Sequence, residues 1–285
     1  MCRLFGLLGN PGTPAEPWLL DTDRALIRQA AVSHEERQGD GWGIGWFTDR
    51  GAIRLEKGVG EASSPGEAGR FKAAARAAHG PLVVAHLRKA SNPMHLPRDR
   101  LIGLENTQPF VEGTMVFAHN GSIPLPQETR RFLGPYESRV RGVNDSEVLF
   151  WLMVRHLDAD PDPVTAFAAA VTDLVRVWRE HRSRAAGPYT GLNVLFSRGP
   201  EELWAFCASL GEHGSGLMDR NHPYYEMAYA GDARHVIVGS EPFDGTRTDW
   251  RRLSNGQYLH AASTHGLVTT RTGAIPLPSP LAEGR

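Results

Sequence analysis

Short apolar runs fall into two groups along this chain, with two long helical segments between them. This order constrains the fold more than any other feature. The first group holds "CRLFGLLG" (2–9), "DGWGIGWF" (40–47), "AIRLEKG" (52–58), "PLVVAHLR" (81–88) and "TMVFAHNG" (114–121). The second holds "TGLNVLFSR", "ELWAFC", "YYEMAYA", "HVIVGS" and "GQYLHAAS", each bounded by turn residues. Of these, "CRLFGLLG", "PLVVAHLR" and "TMVFAHNG" read as buried strands, "DGWGIGWF" leads into a second strand, "AIRLEKG", and the later group reads as short strands. Between the groups, "NDSEVLFWLMVRHL" (144–157) and a segment over 163–182 read as helices, the first capped by Asn144 or Asp145. Helices are also expected over 22–38, where Leu26, Ile27, Ala30 and Ala31 share a side, and over the alanine-rich 65–79. Two sheets facing each other, with helices outside, suit this order. The Pro-rich tail "GAIPLPSPLAEGR" is expected to be loosely attached.

Composition narrows the function classes. Lys plus Arg (31) nearly balances Asp plus Glu (32), so there is no electrostatic footprint for nucleic acid. No apolar run is long enough to span a bilayer, and the first residues lack the pattern of a signal peptide, so a cytoplasmic protein is expected. The two cysteines, Cys2 and Cys207, are too far apart for a disulfide framework or a clustered zinc site. Cys207 reads as a buried small hydrophobe. There is no phosphate-binding "GxxxxGK[ST]" loop, and the glycines of "DGWGIGW" lack dinucleotide spacing. Neither a cofactor nor a metal is expected, and the histidines read as core or rim groups.

Four places offer chemistry, each with a plainer alternative. Removal of Met1 would give Cys2 both a thiol and a free α-amine, a nucleophile with its own base; otherwise it is an arbitrary second residue. Arg88 ends a buried strand, where its planar fork suits a carboxylate ligand or an internal ion pair. Asn120-Gly121 also ends a buried strand; two donors there make an oxyanion hole, or the pair is a structural turn. Asp145 opens a helix as its cap, or holds a ligand ammonium.

Taken in order, "MCRLFG", "DGWGIGWF", "AHLRKAS", "ENTQPFV", "FAHNGSI" and "NDSEVL" resemble the class II glutamine amidotransferases, within the N-terminal nucleophile hydrolases. "VGSEPFDG" and "LSNGQYL" resemble the closing strands of the stand-alone members. The resemblance implies an α+β fold, a four-layer αββα sandwich of two mainly antiparallel sheets. It implies one domain over 1–275 followed by a tail over 276–285. It implies Cys2 as nucleophile and its α-amine as base. Asn120 and Gly121 become the oxyanion donors, Arg88 the α-carboxylate grip and Asp145 the α-ammonium grip. The substrate implied is glutamine or another γ-glutamyl amide. A γ-glutamyl thioester forms and water releases glutamate. No synthase domain fits in 285 residues, so ammonia, if used, passes to a separate synthase. The chain departs from relatives at Lys89, where several carry an aromatic residue, and at Gln108, where many carry His. Ser91 stands where Thr is common and keeps the hydroxyl, so it joins the substrate-binding set. Two further readings are another N-terminal nucleophile acylase, whose members lack the paired Arg and Asp, and a silent glutamine-binding subunit.

Overall fold

A computed structural model describes residues 2–32, 37–211, 213–245 and 248–279. The first half runs β1 (Arg3–Gly9), α1 (Leu26–Gln29), β2 (Trp42–Phe47), β3 (Ile53–Gly58), α2 (Ala68–Ala77), β4 (Leu82–Leu87), α3 (Arg98–Leu101), β5 (Phe110–Glu112) and β6 (Met115–Gly121). There follow α4 (Pro126–Arg130), α5 (Asp145–Ala159), α6 (Pro163–Glu180), β7 (Leu192–Ser197) and β8 (Glu202–Cys207). The chain continues through β9 (Met227–Gly231), β10 (His235–Gly239), β11 (Arg251–Leu253), β12 (Gln257–Thr264) and β13 (Leu267–Ala274).

The strands form two sheets, ordered β11-β9-β10-β1-β4-β2-β3 and β13-β12-β8-β7-β6-β5. Their pairings are antiparallel. Side chains alternate across a strand, so each sheet has an inner and an outer face. Leu4, Leu8 and Val84 of the first sheet meet Val116, Ala118, Leu195 and Ala205 of the second in a dry layer between them. On the outer face of the first sheet, Phe5, Leu7, Trp42 and Ile44 pack under Phe71 of α2 and Leu19 of a π-turn at Pro17–Asp21. On the outer face of the second, Phe117, Phe196 and Phe206 pack under Leu149 and Leu152 of α5 and Phe167 and Val171 of α6. The result is the expected four-layer αββα sandwich. Cys207 is fully buried in the middle layer, as expected.

Several local expectations change. The helix expected over 22–38 is the single turn α1, and residues 33–36 of that stretch lie outside the described residues. The Ala30 carbonyl, which a continuing helix would pair four residues on, instead accepts from the Gln38 N–H at 2.8 Å. Asn144, not Asp145, caps α5: its side chain accepts from the Ser146 N–H at 2.9 Å. The start of the tail is docked rather than loose. Ile275 is buried, its N–H donates to the Gly256 carbonyl at 2.8 Å, and Leu277 packs on the same core; residues 280–285 lie outside the described residues.

Strand β13 was not expected from its sequence, because seven of its eight residues are exposed or half-buried. An edge strand needs no clean apolar alternation. It pairs with β12 along its whole length, from Gln257↔Ala274 to Thr264↔Leu267. The turn residues His265 and Gly266 both have positive φ, 52° and 76°, the signature of a tight hairpin.

Candidate active site

Strand parity places the candidate residues in the layer between the two sheets. Cys2 shares its parity with Leu4 and Leu8, which point at the second sheet, so the thiol points into the space between the sheets. On β4, Leu82 and Val84 face inward, and His86 and Arg88 continue that series. On β6, Val116 and Ala118 face inward and Asn120 follows. The pairing Arg3↔Leu87 sets Cys2 beside Arg88. Three strand ends thus deliver a thiol, a guanidinium and a carboxamide to one end of the layer between the sheets. All three residues are buried.

Asp145, at the first turn of α5, ties the surrounding loops together. Its Oδ1 accepts from Ser91 Oγ at 3.2 Å, in the loop after β4. Its Oδ2 accepts from the Ile123 N–H at 2.7 Å, in the loop after β6. Ser91 and Asp145 therefore form a joined pair beside the site. Arg88 is held from the opposite side: its Nη1 donates to the carbonyls of Leu101 at 2.9 Å and Asp40 at 3.2 Å. Both partners are neutral carbonyls, and among the described residues Arg88 makes no ion pair. The internal ion-pair alternative is not what the structure shows among the described residues.

The Asn120 carboxamide is fully buried, and neither Oδ1 nor Nδ2 has a hydrogen-bond partner. A buried amide left in this state is unfavourable by about 1–3 kcal/mol, and such groups are rare in stable folds. Next to it, Gly121 has φ of +156° and lies against β7. A Cβ there would sit 1.7 Å from the Gly191 carbonyl oxygen, so only glycine fits.

Electrostatics sets what the thiol needs. Burial pushes the Cys2 thiol up from its ordinary value, while a hydrogen bond from the Lys89 backbone and the nearby Arg88 charge act against that rise. Cys2 Sγ lies 3.4 Å from the Lys89 N–H and 3.5 Å from the Lys89 carbonyl. The thiol is therefore protonated at neutral pH, and its attack on a carbonyl requires a base. Neither nearby histidine makes that contact. Burial pushes His86 well below its ordinary value, and the Arg88 charge adds to the effect. His119 points outward instead: its Nε2 donates to the Gly191 carbonyl at 3.0 Å, so its Nδ1 accepts from Ser146 Oγ at 2.9 Å. His119 thus fastens the end of β6 to α5 and β7.

Gln108 has a similar supporting place. Its carboxamide pairs with both the N–H and the carbonyl of His119, fixing the backbone beside Asn120. Three parts of the site were not expected from sequence: the main-chain contact of Lys89 to the thiol, the Ile123 N–H on Asp145, and Arg3. Arg3 is fully buried; its Nε donates to the Cys2 carbonyl at 2.9 Å and its Nη1 lies 3.5 Å from Glu241. The only sequence signal for that pair was an arginine inside an apolar run and a glutamate in "VGSEPFDG". Among the described residues, no group of three His, Cys, Asp or Glu side chains is placed to hold a metal. A hollow of about 820 Å³ near Trp46, Arg54, Arg70 and His79 contains none of the candidate residues. No helix among the described residues is long and apolar enough to cross a membrane.

The model of a family described as "Glutamine amidotransferases class-II" matches residues 1–275. The chain is similar to the gamma-glutamyl-hercynylcysteine sulfoxide hydrolase of Mycobacterium tuberculosis, 26% identical over 250 residues, covering 83% of this chain and 92% of that protein. It is similar to the protein of the same name from Mycolicibacterium smegmatis, 26% identical over 281 residues, covering 94% and 99%. In fold it is similar to a glutamine aminotransferase class-II domain protein from Silicibacter pomeroyi, with a TM-score of 0.62 and 22% identity over 96% of this chain and 100% of that one. A glutamine phosphoribosylpyrophosphate amidotransferase from B. subtilis superimposes with a TM-score of 0.63 at 17% identity, over 97% of this chain and 50% of that one.

Proposed function

The chain belongs to the class-II glutamine amidotransferase family and is an enzyme, and from that premise we propose that it hydrolyses a γ-glutamyl amide with Cys2 as nucleophile. The observation that carries the assignment is the convergence of Cys2, Arg88 and the unpaired Asn120 carboxamide at one end of the layer between the two sheets, with Asp145 beside them. An amino-acid zwitterion needs one cation and one anion in fixed places. Arg88 receives the α-carboxylate, and Asp145, steadied by Ser91, receives the α-ammonium.

The steps follow from these positions. The Cys2 sulfur attacks the amide carbon, and its proton passes to the α-amine exposed when Met1 is removed. Met1 itself lies outside the described residues. Negative charge gathers on the amide oxygen, where the Asn120 side chain and the Gly121 N–H donate. The C–N bond breaks, the departing amine takes the proton, and a γ-glutamyl thioester remains on Cys2. Water then adds to the thioester, and glutamate leaves with the thiol restored. With glutamine the released amine is ammonia. The relatives' names point to hydrolysis of a γ-glutamyl compound with a larger leaving group.

The test is amine or ammonia release across a panel of γ-glutamyl amides, with Arg88→Lys beside the parent. The parent is expected to turn over at least one of them. Arg88→Lys loses the forked grip and is expected to raise KM about tenfold or more, with a smaller change in kcat. An unchanged KM would show that no α-carboxylate is held there.

A further inference from the structure

Asn193 lies inside the apolar strand β7, where asparagine is uncommon. It is fully buried. Its Nδ2 donates to the Tyr225 carbonyl at 2.8 Å, while its Oδ1 has no hydrogen-bond partner. A side chain that only tied β7 to the Tyr225 segment would have no use for a second buried polar atom, and leaving one unmet costs stability. The tie also fixes which way the amide points. Turned over, it would set Oδ1 against the Tyr225 carbonyl, two acceptors face to face. Oδ1 is therefore a fixed acceptor aimed elsewhere.

Its place is at the reacting centre. Val194 and Phe196 pack under α5 and α6, and Leu195 packs against the first sheet, so Asn193 also points into the layer between the sheets. In register it stands directly opposite Asn120. Side chains so paired start about 4.5–5.5 Å apart. The strand that carries Cys2 lies across β7, since a Cβ on Gly6 would sit 3.1 Å from Leu195 Cδ1. The segment that fixes Asn193 reaches the nucleophile too. The Tyr224 ring lies 4.8 Å from the Arg3 guanidinium, whose Nε holds the Cys2 carbonyl at 2.9 Å.

We infer that Asn193 is a further catalytic residue, whose Oδ1 accepts an N–H of the leaving nitrogen. This rests on the proposed reaction at Cys2 and deepens it. An amide presents an acceptor oxygen and a donor N–H, and the two facing asparagines present the complement. Asn120 donates to the oxygen, and Asn193 accepts from the nitrogen. When the tetrahedral adduct collapses, the electron pair of the C–N bond stays with the nitrogen, which takes the proton carried by the Cys2 α-amine. A second hydrogen on that nitrogen stays on Oδ1. The nitrogen gains positive character as it is protonated, so the contact strengthens while the bond opens. An ester oxygen has no hydrogen besides the one in transit, and it meets Oδ1 lone pair to lone pair.

The test compares kcat/KM for γ-glutamylmethylamide and the γ-methyl ester of glutamate. These differ only in N–H against O at the leaving atom, and both give the same thioester on Cys2. Asn193→Ala and Asn193→Leu are each expected to lower the amide-to-ester ratio about tenfold or more relative to the parent. The ratio does not depend on how much folded enzyme each variant yields, and a structural defect lowers both substrates alike. An equal loss on both substrates would therefore make Asn193 a scaffold residue and overturn the inference. Unchanged turnover of both would overturn it as well. Turnover of the ester alone by the parent also counts against it, while leaving the reaction at Cys2 standing. Turnover of neither by the parent, with no γ-glutamyl group on Cys2, overturns the reaction itself and the inference with it.

Discussion

Cys2→Ala is expected to lower release of amine from a γ-glutamyl amide by about 10⁴-fold or more, the scale on which loss of a nucleophile is felt. Binding should survive, because the α-carboxylate and α-ammonium partners, Arg88 and Asp145, are untouched. The thiol has no substitute nearby: Cys207, the other cysteine, is buried between the sheets. The variant should also fold, since β1 is held by pairing with both β10 and β4, and by the dry layer around Leu4 and Leu8. Isothermal titration of glutamate or an unreactive γ-glutamyl analogue, beside an amine-release assay, separates the two effects. Undiminished turnover would remove Cys2 from the chemistry. The pH profile of the parent carries related information. Burial pushes the thiol up, so it waits as a thiol for a base. An α-amine ordinarily titrates near 7.7–8.0, and only its neutral form accepts a proton. Activity should therefore rise with pH as that amine loses its proton.

Asn120→Ala is expected to lower kcat by about 10²–10³-fold, with a much smaller change in KM. The carboxamide acts on charge that appears only after attack, so its loss falls on the chemical step rather than on ground-state binding. The same residue offers a second readout that a structural role would not give. Both amide atoms of Asn120 lack partners in the folded chain, so removing them breaks no hydrogen bond. Thermal stability should consequently hold, or rise as a buried unpaired group is lost. A fall in Tm together with the fall in kcat would make Asn120 a scaffold residue. An unchanged kcat would place the oxyanion elsewhere.

Much of this geometry was legible in the sequence because it depends on strand periodicity. Once β1, β4 and β6 are read as buried strands, parity sets the sides to which Cys2, Arg88 and Asn120 point, and the facing of the two sheets brings those sides together. The start of α5 was legible to within one residue, with the cap left between Asn144 and Asp145 and taken by Asn144. The contacts that complete the site were not legible. Ile123 reaches Asp145, and Lys89 reaches Cys2, through main-chain N–H groups, whose direction depends on loop paths and leaves no mark on residue type. Arg3 and Glu241 meet only because β1 pairs with β10, a neighbour distant in sequence. The helix expected over 22–38 failed for a related reason. Its apolar spacing is real, but the returning Gln38 N–H takes the carbonyl that helix growth would have used.

The most direct measurement is the intact mass of the protein, made in cells with normal methionine aminopeptidase, before and shortly after mixing with a γ-glutamyl amide. The expected result is a chain lacking Met1 that gains one γ-glutamyl group, located to the peptide beginning with Cys2 and absent from Cys2→Ala. Active enzyme that keeps Met1 in full, or that carries its γ-glutamyl group on another residue, would contradict the mechanism.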